Sequence, residues 1–227
     1  MKRIAPLAIA LLLASTAQAQ VRVFSDNFNA ENGGISQTGF SSFVKWNTTG
    51  NVDLVGTPNP WGISCAGGAG MCVDLDGTTG PGGIEMKNLF TLGVGDVLRF
   101  TFDVSGSQRS DAVDRLFLDF LTDGKFLASY TGDFGTTSGV STDLDGLSLG
   151  KDIAGRASWT TYFLELTALQ AGRVGFGLST ISRDNVGPLV DNVHVDLNVV
   201  PEPSTYALMA TGLTLLGALA RRKRNAA

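Results

Sequence analysis

Histidine is nearly missing from this chain, with His194 the single copy in 227 residues. Cysteine stops at Cys65 and Cys72. No histidine lies near that pair, so a zinc site would lack its remaining ligands. The one G-x-S-x-G string, Gly146-Leu147-Ser148-Leu149-Gly150, lacks the following helix that a nucleophile elbow needs, although a Ser-His-Asp set assembled around His194 from distant positions stays open. Every glycine cluster falls between strand-like runs, so no phosphate-cradling loop leads into a helix. Between residues 20 and 200 no stretch keeps an amphipathic helical period over three turns, which removes helical bundles and α/β folds. Basic charge is scarce too. Between its two basic ends the chain holds 11 Lys+Arg against 20 Asp+Glu. Such an acidic surface argues against nucleic acid or anionic lipid as a partner, favours solubility and suits divalent cations.

What is present is short, strand-forming and regularly interrupted. Runs of strand composition cover 21–28, 43–46, 52–55, 72–75, 84–92, 97–104, 116–121, 126–130, 159–166, 174–178 and 189–195. Residues 99–104 (RFTFDV) and 190–197 (VDNVHVDL) alternate polar and apolar with period two, the mark of a half-buried strand. Asp123-Gly124 stands between LFLDFL and KFLASY and predicts a tight hairpin. About 180 residues so patterned predict one all-β domain, a two-sheet β-sandwich of jelly-roll type, over residues 20–198.

The two ends are different. Residues 1–19 contain Lys2 and Arg3, an apolar run over 4–14, and Ala17-Gln18-Ala19 as a small-residue cleavage site; this pattern predicts a secretory signal peptide and export by the Sec route. Residues 199–227 contain Pro201-Glu202-Pro203, then 17 uncharged residues over 204–220, then Arg221, Arg222, Lys223 and Arg224. A helix over 204–220 would be about 25 Å long, near the short limit for a single transmembrane helix. The cations that follow at once would hold its end on the cytoplasmic side.

A signal peptide, an extracytoplasmic body and a Pro-Glu-Pro, apolar, Arg-rich terminus resemble the PEP-CTERM proteins of Gram-negative bacteria. The resemblance implies that an exosortase recognises Pro201, Glu202 and Pro203 and processes the chain. The span and the basic stop 221–224 would tether it to the inner membrane, on the periplasmic side, until it is delivered to the cell surface or extracellular matrix. Hosts of this family commonly make extracellular polysaccharide and biofilm. The stretch from VDLDGTTGPGG to VSGSQRS, with DNVGPLVDNVHV later, is also similar to family bodies with a carbohydrate-binding-like or galactose-binding-like jelly roll.

Within the body, Cys65 and Cys72 flank AGGAGM, a flexible loop whose closure is easy in an oxidising compartment, and predict a disulfide. Asp74-Leu75-Asp76-Gly77 is spaced somewhat like a calcium loop, but Thr79 stands where the sharp turn needs glycine, so it reads as a turn leaving a strand. Asp26-Asn27 on the first strand and Asp191-Asn192 on the last offer hard oxygen ligands for a structural calcium where those strands meet; edge residues making local hydrogen bonds are the alternative. Trp61, in the loop TPNPWGISC, is a candidate sugar-stacking face, whereas Trp159 reads as core. These observations predict a non-catalytic surface or matrix protein whose body serves structure or polysaccharide binding. A surface glycan hydrolase using an unidentified Asp/Glu pair is the alternative.

Overall fold

The computed structural model describes residues 20–135, 138–141, 143–199, 209, 211–217 and 221. Its strands begin with β1 (Gln20–Asp26), β2 (Trp46–Gly50), β3 (Asp53–Thr57), β4 (Gly70–Asp74), β5 (Asp76–Gly77), β6 (Gly80–Met86), β7 (Phe90–Leu92) and β8 (Val97–Ser105). They continue with β9 (Val113–Thr122), β10 (Ala128–Gly132), β11 (Ser138–Ser141), β12 (Ser148–Ala154), β13 (Thr160–Ala168), β14 (Gly172–Thr180) and β15 (Leu189–Asn198). Helix in the body is limited to two 3-10 turns, Glu31–Gly34 and Ala66–Gly68.

The strands form the two-sheet sandwich that the patterning predicts. One sheet runs β11-β10-β13-β8-β15-β4-β3 with β1 added on β15; the other runs β12-β9-β14-β6-β2, with β5 on β6 and β7 on β14. Period-two alternation is the cause. On β8, Leu98, Phe100, Phe102 and Val104 are buried while Arg99, Thr101 and Asp103 face outward and stay part-exposed. Phe100 stacks on Phe176 of β14 with ring centroids 4.5 Å apart, which joins the inner faces of the two sheets. At the β1 end the same core closes around Trp46, fully buried among Phe24, Phe28 and Phe43.

Two sequence expectations change. Asp123-Gly124 does not join a hairpin, because β9 belongs to one sheet and β10 to the other. Phe126 explains the crossing. Its side chain is buried in the core and its backbone exchanges hydrogen bonds with Asp143 and Leu144, which draws the chain between the sheets. The runs on β11 and β12 are too polar and Gly-rich to stand out by composition, yet β12 pairs with β9 over its whole length.

Strand β15 organises the rest. It pairs with β8 along one side; along the other, β4 pairs with its first residues and β1 with residues 193–198. A register shift between Asp191 and His194 marks the handover, with Asn192 at φ +47°. The extra residue lets two partners share one strand edge.

Among the described residues no helix is long and apolar enough to cross a membrane. The signal-peptide reading of 1–19, the Pro201-Glu202-Pro203 motif, Arg222, Lys223, Arg224 and most of the expected span lie outside the described residues. Residues 211–217 are helical and exposed, as is Arg221.

Candidate functional site

The loop between β3 and β4 carries the most chemistry. Cys65 and Cys72 form the disulfide, with Cα atoms 5.4 Å apart. Cys72 lies on β4, so the bridge staples the loop back onto its own strand. Val55, Cys72 and Leu189 point away from the main core, yet all three are buried, because Ile63 and Cys65 of the loop cover them in a small second core. Trp159 packs against that cluster and donates its indole N–H to Ser64 O at 2.8 Å. It is therefore half-buried at the margin of a core on the outer face of the sheet, where the sequence suggests a core residue, and it also lines a groove.

Further contacts hold the loop. Asn59 uses its whole amide: Nδ2 donates to Gly56 O and Ile63 O, while Oδ1 accepts from the N–H groups of Trp61 and Ile63. Gln108 exchanges two hydrogen bonds with the backbone of Ser64, and Asp191 Oδ2 accepts from Ala66 N–H. On this braced frame Trp61 remains exposed, at 38 %. The loop also borders two surface grooves. One, of about 520 Å³, is lined by Thr57, Pro58, Asn29, Ser36 and Met71 among others. The second, of about 270 Å³, is lined by Ser64, Gln108, Arg156, Ser158 and Trp159. Trp61 lines neither groove, but an exposed aromatic on a braced loop can stack on a pyranose, and hydroxyl and amide groups of the same loop region can hydrogen-bond its hydroxyls.

The four residues of the expected calcium site are neighbours in the fold but not in the directions they face. Asp26 turns inward, accepting from Phe28 N–H and from the Trp46 indole N–H at 2.8 Å. Asp191 turns outward and accepts from Ala66 and Asn192 N–H groups. Asn27 accepts from Asn29 N–H, and Asn192 donates to Asp103. Every carboxylate oxygen of Asp26 and Asp191 is thus engaged by an N–H donor. Among the described residues no three His, Cys, Asp or Glu side chains are grouped to hold a metal. Burial pushes the Asp191 carboxyl up to about 7, against two stabilising N–H donors and with Asp103 and Asp26 adding to the rise.

His194 faces outward beside its cross-strand neighbour Ser25, with Nδ1 3.1 Å from Ser25 Oγ. Burial, then nearby Arg22, hold its pKa below the ordinary value. Among the described residues no carboxylate hydrogen-bonds the ring's other nitrogen, so a triad's orienting member is missing.

Sequence reasoning missed a buried polar cluster. Asp74 and Asp76 read as turn residues, but the turn is made by Thr78-Thr79 between paired Gly77 and Gly80. Asp74 is buried and ion-paired with Arg109 at 2.7 Å; burial still pushes its carboxyl up to about 8, with Arg109 opposing.

Comparison with known proteins places the tail. Residues 199–224 match the PEP-CTERM protein-sorting motif, so the chain carries that motif at its C-terminus and is of the kind exported and sorted toward the cell surface. No curated protein matches the chain. Among solved structures, a cyclase from Fischerella sp. TAU shares 13% identity at a TM-score of 0.51, over 81% of this chain and 100% of that one; this likeness is one of fold. The CBM22-1 xylan-binding domain of Paenibacillus barcinonensis Xyn10C is similar at 13% identity and TM-score 0.44, over 82% and 99% of the two chains. TmCBM61, solved with β-1,4-galactotriose, is similar at 18% identity and TM-score 0.39, over 68% and 90%.

Proposed function

We propose that this chain is an exported, non-catalytic surface or matrix protein, processed by an exosortase at its tail and binding extracellular polysaccharide through the loop that bears Trp61. The sorting motif over 199–224 carries the reading. Proline has a fixed φ and no N–H, so the two prolines around Glu202 disfavour helix and sheet there, which suits recognition by a protease at the membrane face. The apolar segment 204–220 and the cations 221–224 hold that segment at the inner membrane after Sec export. The body supplies the ligand side, with an exposed aromatic on a braced loop that also borders two polar grooves. The two carboxyls pushed furthest toward neutral pH, Asp74 and Asp191, are both buried, one on Arg109 and one under the disulfide loop. Neither reaches a groove as a hydrolase acid would need to.

The test follows the exported protein in a host that has an exosortase. The parent should lose its tail and reach the surface, while Glu202→Ala should be exported and inserted but stay untrimmed. Equal trimming of both would refute sorting through this motif. Trp61→Ala should weaken retention of the protein in polysaccharide-containing native gels without changing its melting temperature. Unchanged retention across all glycans bound by the parent would refute the role of Trp61.

A further inference from the structure

The buried polar cluster leaves charge and hydrogen-bonding capacity over. Asp76 is 0 % exposed and Asp114, at the start of β9, is 2 % exposed. The two come from distant parts of the chain and grip the same loop. Asp76 Oδ2 accepts from Asp184 and Asn185 N–H groups at 2.9 and 3.0 Å, and Asp114 is hydrogen-bonded to Ser182. Each then presents a second buried oxygen, Asp76 Oδ1 and Asp114 Oδ2, that has no hydrogen-bond partner. The neighbouring cation, Arg109, is only partly committed, and its buried Nε is also without a hydrogen-bond partner. Arg109 gives Nη2 to Asp74 Oδ2 and Asn185 O, and neither Asp76 nor Asp114 joins an ion pair among the described residues. Two carboxylates so enclosed, with exposed Asp184 adding to the field on both, need compensating positive charge.

We propose that the 182–187 loop closes over a divalent-cation site, calcium by its chemistry, whose protein ligands are Asp76 Oδ1 and Asp114 Oδ2. The site offers only oxygen donors, which suits a hard cation, and calcium accepts hydroxyls, backbone carbonyls and water to complete six to eight ligands. Two carboxylates need no third acid for this. The ion would brace the segment from Arg109 to Asp114 against the loop. One residue earlier, Gln108 holds the Trp61 loop through Ser64. The site is independent of glycan binding and of tail processing.

The test uses the full chain in detergent after treatment with a chelator. Titration of calcium chloride in a calorimeter should show one site with a dissociation constant of about 10⁻⁴–10⁻³ M, the range of weak extracellular modules, and millimolar calcium should raise the melting temperature. Asp76→Asn and Asp114→Asn should each weaken binding at least about tenfold, as loss of one of two charged ligands requires. Asp26→Asn and Asp191→Asn should leave it unchanged. If the parent binds no calcium and instead gains stability only on acidification, a proton shared by the two acids compensates them and the proposal fails. It also fails if the calcium response disappears in Asp26→Asn or Asp191→Asn but survives in Asp114→Asn. Calorimetry on the parent decides the matter even if a variant does not fold.

Discussion

Replacing both Cys65 and Cys72 by alanine should separate the stability of the sandwich from the order of its ligand loop. The bridge closes a loop with a sequence separation of 7. Chain-entropy reasoning for so short a ring gives a stabilisation of about 2.4 kcal/mol. Both sulfurs are also buried against Val55, Ile63 and Leu189, and their removal adds about 1 kcal/mol of lost packing. A total of about 3.5 kcal/mol in a domain of this size lowers the melting temperature by about 7–14 °C. The second core lies on the outer face of its sheet, so the main core should survive and the far-ultraviolet spectrum should stay that of a β-sandwich. The loop should loosen locally, seen as faster hydrogen exchange at the amides of residues 63, 65 and 66 and as a red-shifted, more quenchable Trp61 emission. The assay is thermal melting of parent and double variant side by side, with thiol labelling of the unreduced parent expected to be nil. A double variant that melts within about 2 °C of the parent would refute the assignment of this stability to the bridge. Labelling of both cysteines in the exported, unreduced protein would refute the bridge itself.

Two further perturbations test the interior. The Asp191 carboxyl, raised from the ordinary 3.8 to about 7 by burial, favours the folded state when protonated, so its contribution is full below about pH 4 and is lost as pH rises through 7. Asp191→Asn, which mimics the protonated acid, should melt like the parent at about pH 4 and increasingly above it as pH rises toward 7, with the gap constant beyond that; parallel pH profiles would show that another group carries the dependence. Trp46→Phe leaves Asp26 Oδ2 without the indole donor it has at 2.8 Å and opens a void beside Phe24 and Phe28. The expected loss is about 2–4 kcal/mol, read as a lowered melting temperature; a change under about 0.5 kcal/mol would mean that the Asp26–Trp46 bond does not anchor this end of the core.

The parts of the fold legible in the sequence are those where one face of one strand decides everything. On β8 and β15 the alternation of apolar and polar residues gives strand, face and core together, and the disulfide is local enough to be read from eight consecutive residues. The β9-to-β10 crossing was not legible, because Asp123-Gly124 fits a hairpin and what overrides it is the burial of Phe126 together with its backbone bonds to Asp143 and Leu144. The candidate site shows the same division. Trp61 stands out as an aromatic among turn residues, yet its rigidity comes from Asn59, Gln108, Asp191 and the bridge, partners up to 130 positions away by sequence.

The buried acids carry this furthest. Asp76 sits in an Asp-Gly pair, and in sequence an Asp-Gly pair on a solvated turn looks the same as one sealed beneath a loop. The distinction rests on what folds over it, here residues 182–187, in which Asp184 and Asn185 N–H groups donate to Asp76 and Gly187 N–H donates to Asp74. Gly187 shows why the cover fits so closely. A β-carbon there would lie 2.4 Å from Asp76 N and 2.5 Å from its side chain, so Gly187→Ala should lift the loop from the acids. If the loop seals the two orphan oxygens, that variant should lose calcium binding together with stability, and it should recover neither at high calcium, because the ligands would no longer be held in place. A Gly187→Ala protein that binds calcium as the parent does would show that the loop is not the lid of the site.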